Sequence, residues 1–382
     1  MRDGFAFEEL SRDGDARTGR FTTPHAIVQT PAFMPVGTQG SVKAMSPDEI
    51  AAMGTRLILA NTYHLWLRPG AQTVDALGGL HGFTTWDGAF LTDSGGYQVF
   101  SLSSLRKIDD DGVSFRSHLD GSERRLTPEE AMRVQMALGS DIAMVLDECP
   151  PGDGERAVVQ SAMRRTSAWA RRCLAVPQRD DRPQARFGIV QGATDLAFRR
   201  AHLDDIASLG CDGVALGGFS VGEPIPVMYE LLADLGPRMP RERPRYLMGV
   251  GTPIDLLHGI GSGIDLFDCV LPTRNGRNGQ ALTWHGRVNV KQARHARDDR
   301  PLDERCDCPC CTRFSRAYLR HLFVAGEILA LRLLTQHNLH LYARLTRAAR
   351  DAITAGTYAS FARDTEARMR EGDELGPPDP RK

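Results

Sequence analysis

Long hydrophobic runs are missing from this chain of 382 residues. A membrane-spanning helix needs about 20 consecutive apolar residues, and no segment of the sequence approaches that length. The first ten residues include acidic side chains and lack an apolar stretch, so we expect neither a signal peptide nor a membrane span. Cys149, Cys173, Cys211 and Cys269 are scattered through apolar or helical contexts, which is typical of a protein in the reducing cytoplasm.

The chain also lacks an excess of charge of either sign, because 47 lysines and arginines are balanced by 48 acidic residues. This balance excludes a protein that coats nucleic acid through bulk positive charge, although it permits a local basic surface. Residues 274–300 contain such a local excess of basic side chains. A solvated surface is the ordinary explanation of a basic segment, so the neighbouring motifs must decide whether this one has a function.

Cysteine is scarce except in one place. Of eight cysteines, four fall within residues 306–311, and His337 follows at a distance. Thiolates and an imidazole suit tetrahedral zinc, and three of these thiolates with His337 would fill all four positions, leaving none open for catalysis. We therefore predict a structural zinc site rather than a disulfide or reduced surface thiols, because adjacent Cys310 and Cys311 disfavour simple pairing. The spacing alone leaves open whether Cys310 or Cys311 is the third thiolate.

The middle of the chain repeats a helix, a short apolar strand and a polar or glycine-rich loop. Strands of this kind are predicted at residues 56–60, 88–92, 141–146, 186–190, 213–216, 245–248 and 263–267. Strands that alternate with helices indicate a parallel sheet. Seven similar units without a dinucleotide-binding glycine fingerprint favour a (β/α)8 TIM barrel over a doubly wound sheet.

Two regions depart from this rhythm. Residues 272 to about 340 contain the basic segment and the cysteine cluster, so we interpret them as a zinc-binding insertion late in the barrel. We expect residues 1–365 to form a single catalytic barrel domain that includes this insertion. The end of the chain, residues 366–382, is charged and rich in proline near its terminus, and we expect it to be a disordered tail.

Three carboxylates follow or end predicted strands: Asp93, Asp147 and Asp268. Each one alone could cap the next helix, but in a (β/α)8 barrel the carboxyl ends of the strands meet at the active site. Three buried carboxylates on one face would therefore form a candidate catalytic centre. Gln191 and the backbone at Gly218 add hydrogen-bonding groups at neighbouring strand ends. A planar heterocycle such as guanine, with donor and acceptor edges, suits such a pocket.

Several long motifs occur in a fixed order and carry a family resemblance. They are Asp-Ser-Gly-Gly-Tyr-Gln from Asp93, Asp-Glu-Cys-Pro from Asp147, Gly-Ile-Val-Gln-Gly ending at Gly192, Leu-Gly-Gly-Phe-Ser-Val-Gly-Glu ending at Glu223, Tyr-Leu-Met-Gly-Val-Gly from Tyr246, Phe-Asp-Cys-Val-Leu-Pro-Thr-Arg-Asn-Gly-Arg ending at Arg277, and Cys-x-Cys-x-x-Cys from Cys306 with a distant His-Asn. Over roughly residues 5–365 the chain resembles the bacterial tRNA-guanine transglycosylases.

The resemblance implies an enzyme that exchanges guanine at the anticodon wobble position of tRNAs with a U-G-U motif for the 7-deazaguanine preQ1, in queuosine biosynthesis. It implies Asp268 as the nucleophile, which forms a covalent enzyme–RNA intermediate, and Asp93 as the general acid and base. The other residues with implied roles are Asp147, Gln191, Gly218 and Cys149 around the base, Tyr97 and Met248 on its faces, Glu223 as a sensor of the incoming base, Thr273, Arg274 and Arg277 on the RNA, and Cys306, Cys308, Cys311 and His337 on one structural Zn²⁺ per subunit.

The partners implied by the resemblance are the tRNA anticodon loop, the free bases preQ1 and guanine, and a second copy in a homodimer with the zinc region near the interface. Cys149 and Val221 match the bacterial pattern, which favours preQ1 over queuine, and a queuine-inserting relative is the nearest alternative. A zinc-dependent barrel hydrolase or deaminase would need an open metal site with histidines at strand ends. A non-catalytic RNA-binding relative would be expected to have lost Asp93 or Asp268.

Overall fold

The computed structural model of this protein describes residues 4–98, 106–220 and 222–372. Within these residues, no helix combines the length and the apolar character that a membrane crossing requires. The strands are β1 (Ala6–Asp13), β2 (Ala16–Thr22), β3 (Ile27–Thr30), β4 (Ala32–Pro35), β5 (Leu57–Ala60), β6 (Ala89–Thr92), β7 (Arg106–Asp109), β8 (Gly112–Arg116), β9 (Glu123–Leu126), β10 (Ile142–Met144), β11 (Ala185–Val190), β12 (Gly213–Leu216), β13 (Arg245–Leu247), β14 (Leu266–Cys269), β15 (Gln280–Thr283) and β16 (Gly286–Asn289).

The helices alternate with the central strands as the sequence predicts. They are α1 (Pro47–Ala52), α2 (Thr62–Leu67), α3 (Ala71–Ala76), α4 (Gly79–Thr84), α5 (Pro128–Leu138), α6 (Arg156–Ala175), α7 (Leu196–Ser208), α8 (Ile225–Arg238), α9 (Pro253–Gly261), α10 (Leu271–Arg277), α11 (Arg316–Val324), α12 (Ile328–Thr354) and α13 (Tyr358–Glu371), with a 3-10 helix at Ala293–Arg297. Thr127 and Thr252 cap α5 and α9, and in both helices a proline follows the cap. The proline fits the first turn because its missing N–H would have no partner there.

A parallel barrel forms the centre of the fold. Among the described residues, eight strands pair in the order β4-β14-β13-β12-β11-β10-β6-β5. A parallel bridge between Val36 and Leu59 brings the two edges of this sheet together, so the barrel is nearly closed. The predicted (β/α)8 fold is confirmed. Its strands are almost entirely buried, as expected when helices cover a parallel sheet.

The first barrel strand, β4, was not among the seven predicted strands. It has four residues and ends in proline, and it follows directly on another proline, Pro31, so its local sequence does not indicate a strand. Tertiary pairing decides its conformation, because β4 lies beside β14 and residue Asp268 pairs with Met34. The antiparallel sheet β1-β2-β3 was also not predicted. Its Phe21 is fully buried and contacts Phe187 inside the barrel, so this sheet covers one barrel end.

The predicted insertion follows β14, the last barrel strand. It contains α10, the β15-β16 hairpin, a 3-10 helix and α11, and the long helix α12 then packs back against the barrel. Asn338 on α12 joins these parts, since its side chain accepts from the N–H of Leu282 and donates to the carbonyls of Pro272 and Gln280. The final helix α13 crosses the boundary predicted at residue 365 and continues to Glu371, because Met369 is buried. Residues 373–382 of the predicted tail lie outside the described residues.

Candidate active site and metal centre

The three predicted carboxylates lie at the carboxyl ends of barrel strands. Asp93 directly follows β6, Asp147 stands three residues after β10, and Asp268 is the third residue of β14. All three are buried, with no more than 8% of their surface exposed. Burial of ionisable groups without counter-charges is costly, so this concentration at one end of the barrel is a candidate functional site.

The two carboxylate oxygens of Asp268 differ in their hydrogen bonding. Its Oδ1 accepts hydrogen bonds from the Tyr246 hydroxyl at 2.6 Å and from the Gly249 N–H at 2.7 Å. No residue in the described ranges donates to Oδ2. Burial raises the pKa of this carboxyl group, while the bonds from Tyr246 and Gly249 oppose the rise. One oxygen is therefore held in place, and the other is left available to a substrate.

Asp93 is held by the loop that follows the neighbouring strand β5. Its Oδ1 accepts from the Thr62 N–H at 2.8 Å, and its Oδ2 accepts from the Asn61 side-chain amide. Burial raises the pKa of Asp93 to about 6, against the hydrogen bonds from Asn61, Thr62 and Gly95, and the charge of Asp268 adds to the rise. A carboxyl group with a pKa near neutrality can both give and take a proton at physiological pH.

Asp147 forms a second polar centre with Ser94 and Gln191. The Ser94 hydroxyl donates to Oδ1 at 3.2 Å, and the Gln191 side-chain amide donates to Oδ2 at 2.7 Å. Burial raises the pKa of Asp147 to about 6, and these two hydrogen bonds limit the rise. The Gln191 Oε1 atom is buried and has no hydrogen-bond partner among the described residues. A buried acceptor left open in this way fits a site that a ligand with N–H groups would complete.

The glycine pair Gly217–Gly218 leaves the space that Gln191 occupies. A Cβ atom on Gly218 would lie 2.5 Å from Gln191 Oε1, and its φ of +66° also favours glycine. Buried Arg199 donates to the carbonyls of Gly217 and Gly218, both at 3.0 Å. The N–H of Gly218 makes no hydrogen bond within the described part of the chain. This loop is therefore fixed through its carbonyls and keeps an N–H donor free.

The other predicted base contacts lie nearby with different degrees of exposure. Tyr97 is 55% exposed, at the edge of the described segment, and Met248 is partly buried directly after β13. Cys149 is half-buried, and burial raises the pKa of its thiol to about 12, so the thiol is neutral. Glu223 accepts from the N–H of Ser220 at 2.5 Å.

The predicted RNA contacts stand on α10, directly after Asp268. Arg274 is exposed, whereas Thr273 is buried and donates its hydroxyl to the carbonyl of Val270, so its burial does not support a direct contact with RNA. The Nη1 atom of Arg277 is buried without a hydrogen-bond partner among the described residues. Burial lowers the pKa of Arg277, and its charge helps to lower the pKa of Lys43. Lys43 therefore joins this basic surface.

The residues that hold the carboxylates are not evident from the local sequence. Asn61 and Thr62 position Asp93, and Tyr246 positions Asp268. The polar segment after residue 60 was a strand end like the others, and that position was the available signal. Tyr246 gives no such signal, because it lies inside a buried strand and only the barrel brings it to Asp268. Lys43 belongs to a loop far from the basic segment in sequence.

The four predicted metal ligands come together in the insertion. The Sγ atoms of Cys306, Cys308 and Cys311 lie 3.6, 3.5 and 3.3 Å from Nδ1 of His337. Tetrahedral zinc with its usual bond lengths separates sulfur and nitrogen ligands by about 3.6 Å. Nε2 of His337 donates to the carbonyl of Leu282 at 2.8 Å, which leaves Nδ1 free for a metal.

These ligand atoms lie within 4.8 Å of one another and form a group that could hold a metal ion. Cys311 belongs to the group and Cys310 does not, which answers the question that spacing left open. All eight cysteines are free, so the disulfide alternative was wrong. Because the protein would fill all four positions of a tetrahedral ion, the site is closed and does not support a metal-activated water.

A (β/α)8 barrel with buried carboxylates at the carboxyl ends of its strands has the construction of a barrel enzyme. A sequence model of the family described as queuine tRNA-ribosyltransferase matches residues 12–371. The queuine tRNA-ribosyltransferase of Sorangium cellulosum is 63% identical over 94% of this chain and 91% of its own length. Its counterpart in Thermus thermophilus is 52% identical over 98% of this chain and 97% of its own length. The chain belongs to the queuine tRNA-ribosyltransferase family.

Proposed function

We propose that this protein is a tRNA-guanine transglycosylase of the bacterial type. It would replace guanine at the wobble position of U-G-U anticodons with preQ1. Family membership supports the reaction class, and bacterial relatives such as that of Sorangium cellulosum support the bacterial type. The observation that carries the chemistry is the pair formed by Asp268, with one unpartnered oxygen, and Asp93, with a pKa of about 6.

In the first half-reaction, Asp268 Oδ2 attacks the anomeric carbon of the ribose. A carbon–oxygen ester bond forms while the bond to guanine N9 breaks, and its electron pair leaves with the base. Protonated Asp93 gives its proton to the departing guanine and becomes a carboxylate. Tyr246 and Gly249 hold Oδ1 throughout, so the attacking oxygen keeps its direction. The product is free guanine and RNA joined to the enzyme.

In the second half-reaction, the incoming preQ1 loses its N9 proton to the Asp93 carboxylate. Its N9 atom attacks the same ribose carbon, and the ester bond breaks with its electron pair returning to Asp268. Two displacements at one carbon preserve its configuration, and the covalent intermediate gives ping-pong kinetics. Asp93 is needed first as an acid and then as a base, which suits its raised pKa.

Base recognition would fall to the groups around Asp147. Its carboxylate can accept from the ring N–H and amino group, while the Gln191 amide and the Gly218 N–H donate to the base carbonyl. The bond from Gln191 to Asp147 keeps both acceptor and donor in one rigid unit. Tyr97 and Met248 would cover the two faces of the ring.

The choice of preQ1 over queuine would depend on the surroundings of the aminomethyl group. Cys149 is a small neutral residue beside Asp147, and Glu223 offers a carboxylate that can respond to the amine. Val221, which also matches the bacterial pattern, lies outside the described residues.

RNA binding would use the basic surface beside the nucleophile. Exposed Arg274 can reach the phosphates of the anticodon loop, and Arg277 has a buried nitrogen that lacks a partner among the described residues. Arginine forms paired hydrogen bonds with phosphate oxygens, and splayed loop bases can then be recognised individually. The carboxylate pocket would receive the base that is extracted from its stack.

Zinc is the ion that the Cys306, Cys308, Cys311 and His337 donor set favours, with one ion per subunit. It would supply structural cross-linking between the loop after residue 300 and helix α12. Val324 at the end of α11 and Ile328 and Leu329 at the start of α12 are exposed apolar residues in the same insertion. They support the proposed homodimer, in which a second copy covers this surface, and light scattering of the purified protein tests the association.

A denaturing gel with an anticodon stem-loop containing uridine-guanine-uridine tests the central proposal. We expect wild type to form a protein–RNA adduct and to incorporate radiolabelled guanine. Asp268→Ala should lose both activities, while Asp364→Asn, which alters an exposed carboxylate on α13, should keep both. Absence of adduct and exchange in wild type would refute the enzymatic proposal. Exchange that survives in Asp268→Ala would assign the nucleophile to another residue.

A further inference from the structure

A second cavity lies away from the catalytic carboxylates, between the β15-β16 hairpin, α12 and α13. It has a volume of about 420 Å³ and is lined by four arginines, two aromatic rings and one acid, namely Arg305, Arg344, Arg347, Arg368, Trp284, Phe361 and Asp351, together with Ala348. This volume falls in the range of small-molecule sites in proteins. The described transglycosylation chemistry uses none of these residues.

Its position is the opposite end of the barrel from the active site. Arg350, on the same helical segment of α12, donates to the carbonyl of Pro31, just before β4 begins. Arg347 lies close to Gly54, which precedes β5. A Cβ atom on that glycine would lie 2.9 Å from Arg347 Nη2. Both contacts are at the amino ends of barrel strands. A ligand in this cavity therefore cannot be the base that Asp268 and Asp147 receive.

The arginines are incompletely paired within the described ranges. Only Arg344 has a carboxylate partner there, with a bond of 2.6 Å to Asp307. Arg305 and Arg347 make no side-chain hydrogen bond or ion pair with the described residues. Arg368 donates from Nη2 to Thr365, but its Nε is buried and has no partner in the same part of the chain. A buried donor and two unpaired guanidinium groups around one cavity fit an anionic ligand.

We propose that this cavity binds a phosphate-bearing nucleotide. Guanidinium groups match phosphate oxygens with paired hydrogen bonds. Trp284 and Phe361 provide rings on which a nucleobase can stack. Asp351 can accept a hydrogen bond from a ribose hydroxyl. Arg347, which is unpaired within the described ranges, and Arg368, whose Nε is buried without a partner there, are the groups that we assign to the phosphate. The nucleotide is either a free mononucleotide or part of tRNA outside the anticodon loop, and only this second source depends on the proposed function.

Titration with AMP, adenosine and inorganic phosphate tests the proposal, with calorimetry and the intrinsic fluorescence of the protein's four tryptophans, which include Trp284, as readouts. For a free mononucleotide we expect saturable AMP binding, with adenosine and phosphate each at least about tenfold weaker. Arg347→Glu should weaken AMP binding by about tenfold or more, since it reverses the charge beside the phosphate. The matched control is Arg363→Glu, because Arg363 is exposed on α13 and does not line the cavity.

Filter binding of full tRNA and of the isolated anticodon stem-loop distinguishes the second source. If a tRNA nucleotide enters the cavity, Arg347→Glu weakens full tRNA binding, leaves stem-loop binding unchanged, and differs from Arg363→Glu. Thermal melts confirm that both variants fold. The proposal is overturned if Arg347→Glu affects neither AMP nor full tRNA, or if phosphate alone binds as tightly as AMP. Failure of wild type to bind the stem-loop would count against the proposed function and leave the AMP result intact.

Discussion

Buried carboxylates at the two ends of the barrel differ in their hydrogen-bond partners. Asp265, just before β14, receives hydrogen bonds on both oxygens, from Arg17 and from the N–H of Arg245. Asp268, within the same strand, receives bonds on one oxygen only, from Tyr246 and Gly249. Both residues are buried, and Asp268 follows Asp265 by only three positions in the sequence. At the amino end of the barrel, the carboxylate of Asp265 stabilises a buried arginine. At the carboxyl end, one oxygen of Asp268 receives no hydrogen bond from the described residues and can contact a ligand.

The strand β10 repeats this contrast. Asp141, just before the strand, is bonded by His25, His81 and the N–H of Phe90, and these partners hold its pKa below the usual value despite burial. Asp147, after the strand, has neutral partners, and its pKa rises to about 6. Barrel enzymes in general place stability at the amino ends of the strands and function at the carboxyl ends. In this protein the two ends differ in whether a buried carboxylate has basic side chains as partners: Asp141 has two histidines, and Asp147 has none.

The largest effect is expected when Asp268, the proposed nucleophile, is replaced. Asp268→Asn should lower the rate of base exchange by about 10⁴-fold or more, because amide oxygen does not replace a carboxylate as nucleophile. Its thermal stability should stay equal to wild type or increase, since the variant removes a buried charge that lacks a cationic partner. Exchange kinetics and a melting curve on the same preparation measure both. A large loss of stability would show that Asp268 is structural, like Asp265.

The reverse outcome is expected at the amino end. Asp265→Asn should lower the free energy of unfolding by about 3 kcal/mol, because it removes the closer of the two carboxylates paired with buried Arg17 and leaves only Glu9, at 3.4 Å. The folded fraction should retain exchange activity, because the substitution lies away from the catalytic oxygens. Denaturant unfolding and activity per folded molecule measure the two quantities. Unchanged stability with lost activity would contradict the division between the two ends.

Local sequence was sufficient for the carboxyl end of the barrel. Asp93, Asp147 and Asp268 each follow a short apolar strand, and the period of the pattern together with the long motifs predicted both the fold and the candidate site. The group of possible metal ligands was also predictable, because three of its four residues lie within six positions and thiolates have few other uses in such a cluster. The geometry then selected Cys311 over Cys310.

The amino end was not predictable, because its partners come from distant parts of the chain. Arg17 and Asp265 are 248 residues apart, and His25 and Asp141 are 116 apart. Strand β4 is too short and too rich in proline to be recognised without its neighbours. Tyr246 was missed for the same reason, since its contact with Asp268 depends on the pairing of adjacent strands. Sequence patterns report local periodicity, whereas these contacts depend on closure of the barrel.

A change of pH between 8 and 5 should alter the protonation of buried carboxyl groups at the carboxyl end of the barrel, and not that of Asp141 at the amino end. The raised pKa values of Asp93 and Asp147, both about 6, mean that these groups are ionised above pH 6 and take up protons below it. Affinity for the free base should fall by about tenfold per pH unit below 6, because protonated Asp147 no longer accepts the two base hydrogen bonds. Asp141 stays ionised over this range because its pKa is lowered.

The base affinity of wild type between pH 5 and 8 measures this effect, and Asp147→Asn serves as the comparison. The variant should bind weakly at every pH and lose the dependence that Asp147 causes. Parallel melting curves should show no matching transition from Asp141. A wild-type affinity that stays constant down to pH 5 would show that the Asp147 carboxyl group does not bind the base in its ionised form.

The smallest effect is expected at His25, where hydrogen bonding to Asp141 raises the histidine pKa above 6.5 against the opposing effect of burial. A group whose pKa is raised on folding stabilises the protein fully below its unfolded value and loses this contribution as the pH rises through the folded value. Wild type should therefore lose stability between pH 6 and 9. Because the side chain is 44% exposed, solvent limits the loss to about 0.5 kcal/mol. His25→Asn keeps a hydrogen-bond donor for Asp141 but removes the titrating group, so the unfolding free energy of the variant should not decline over this pH range. An equal decline in both proteins would assign the pH dependence to other groups. Asp141 would then be compensated by hydrogen bonds alone.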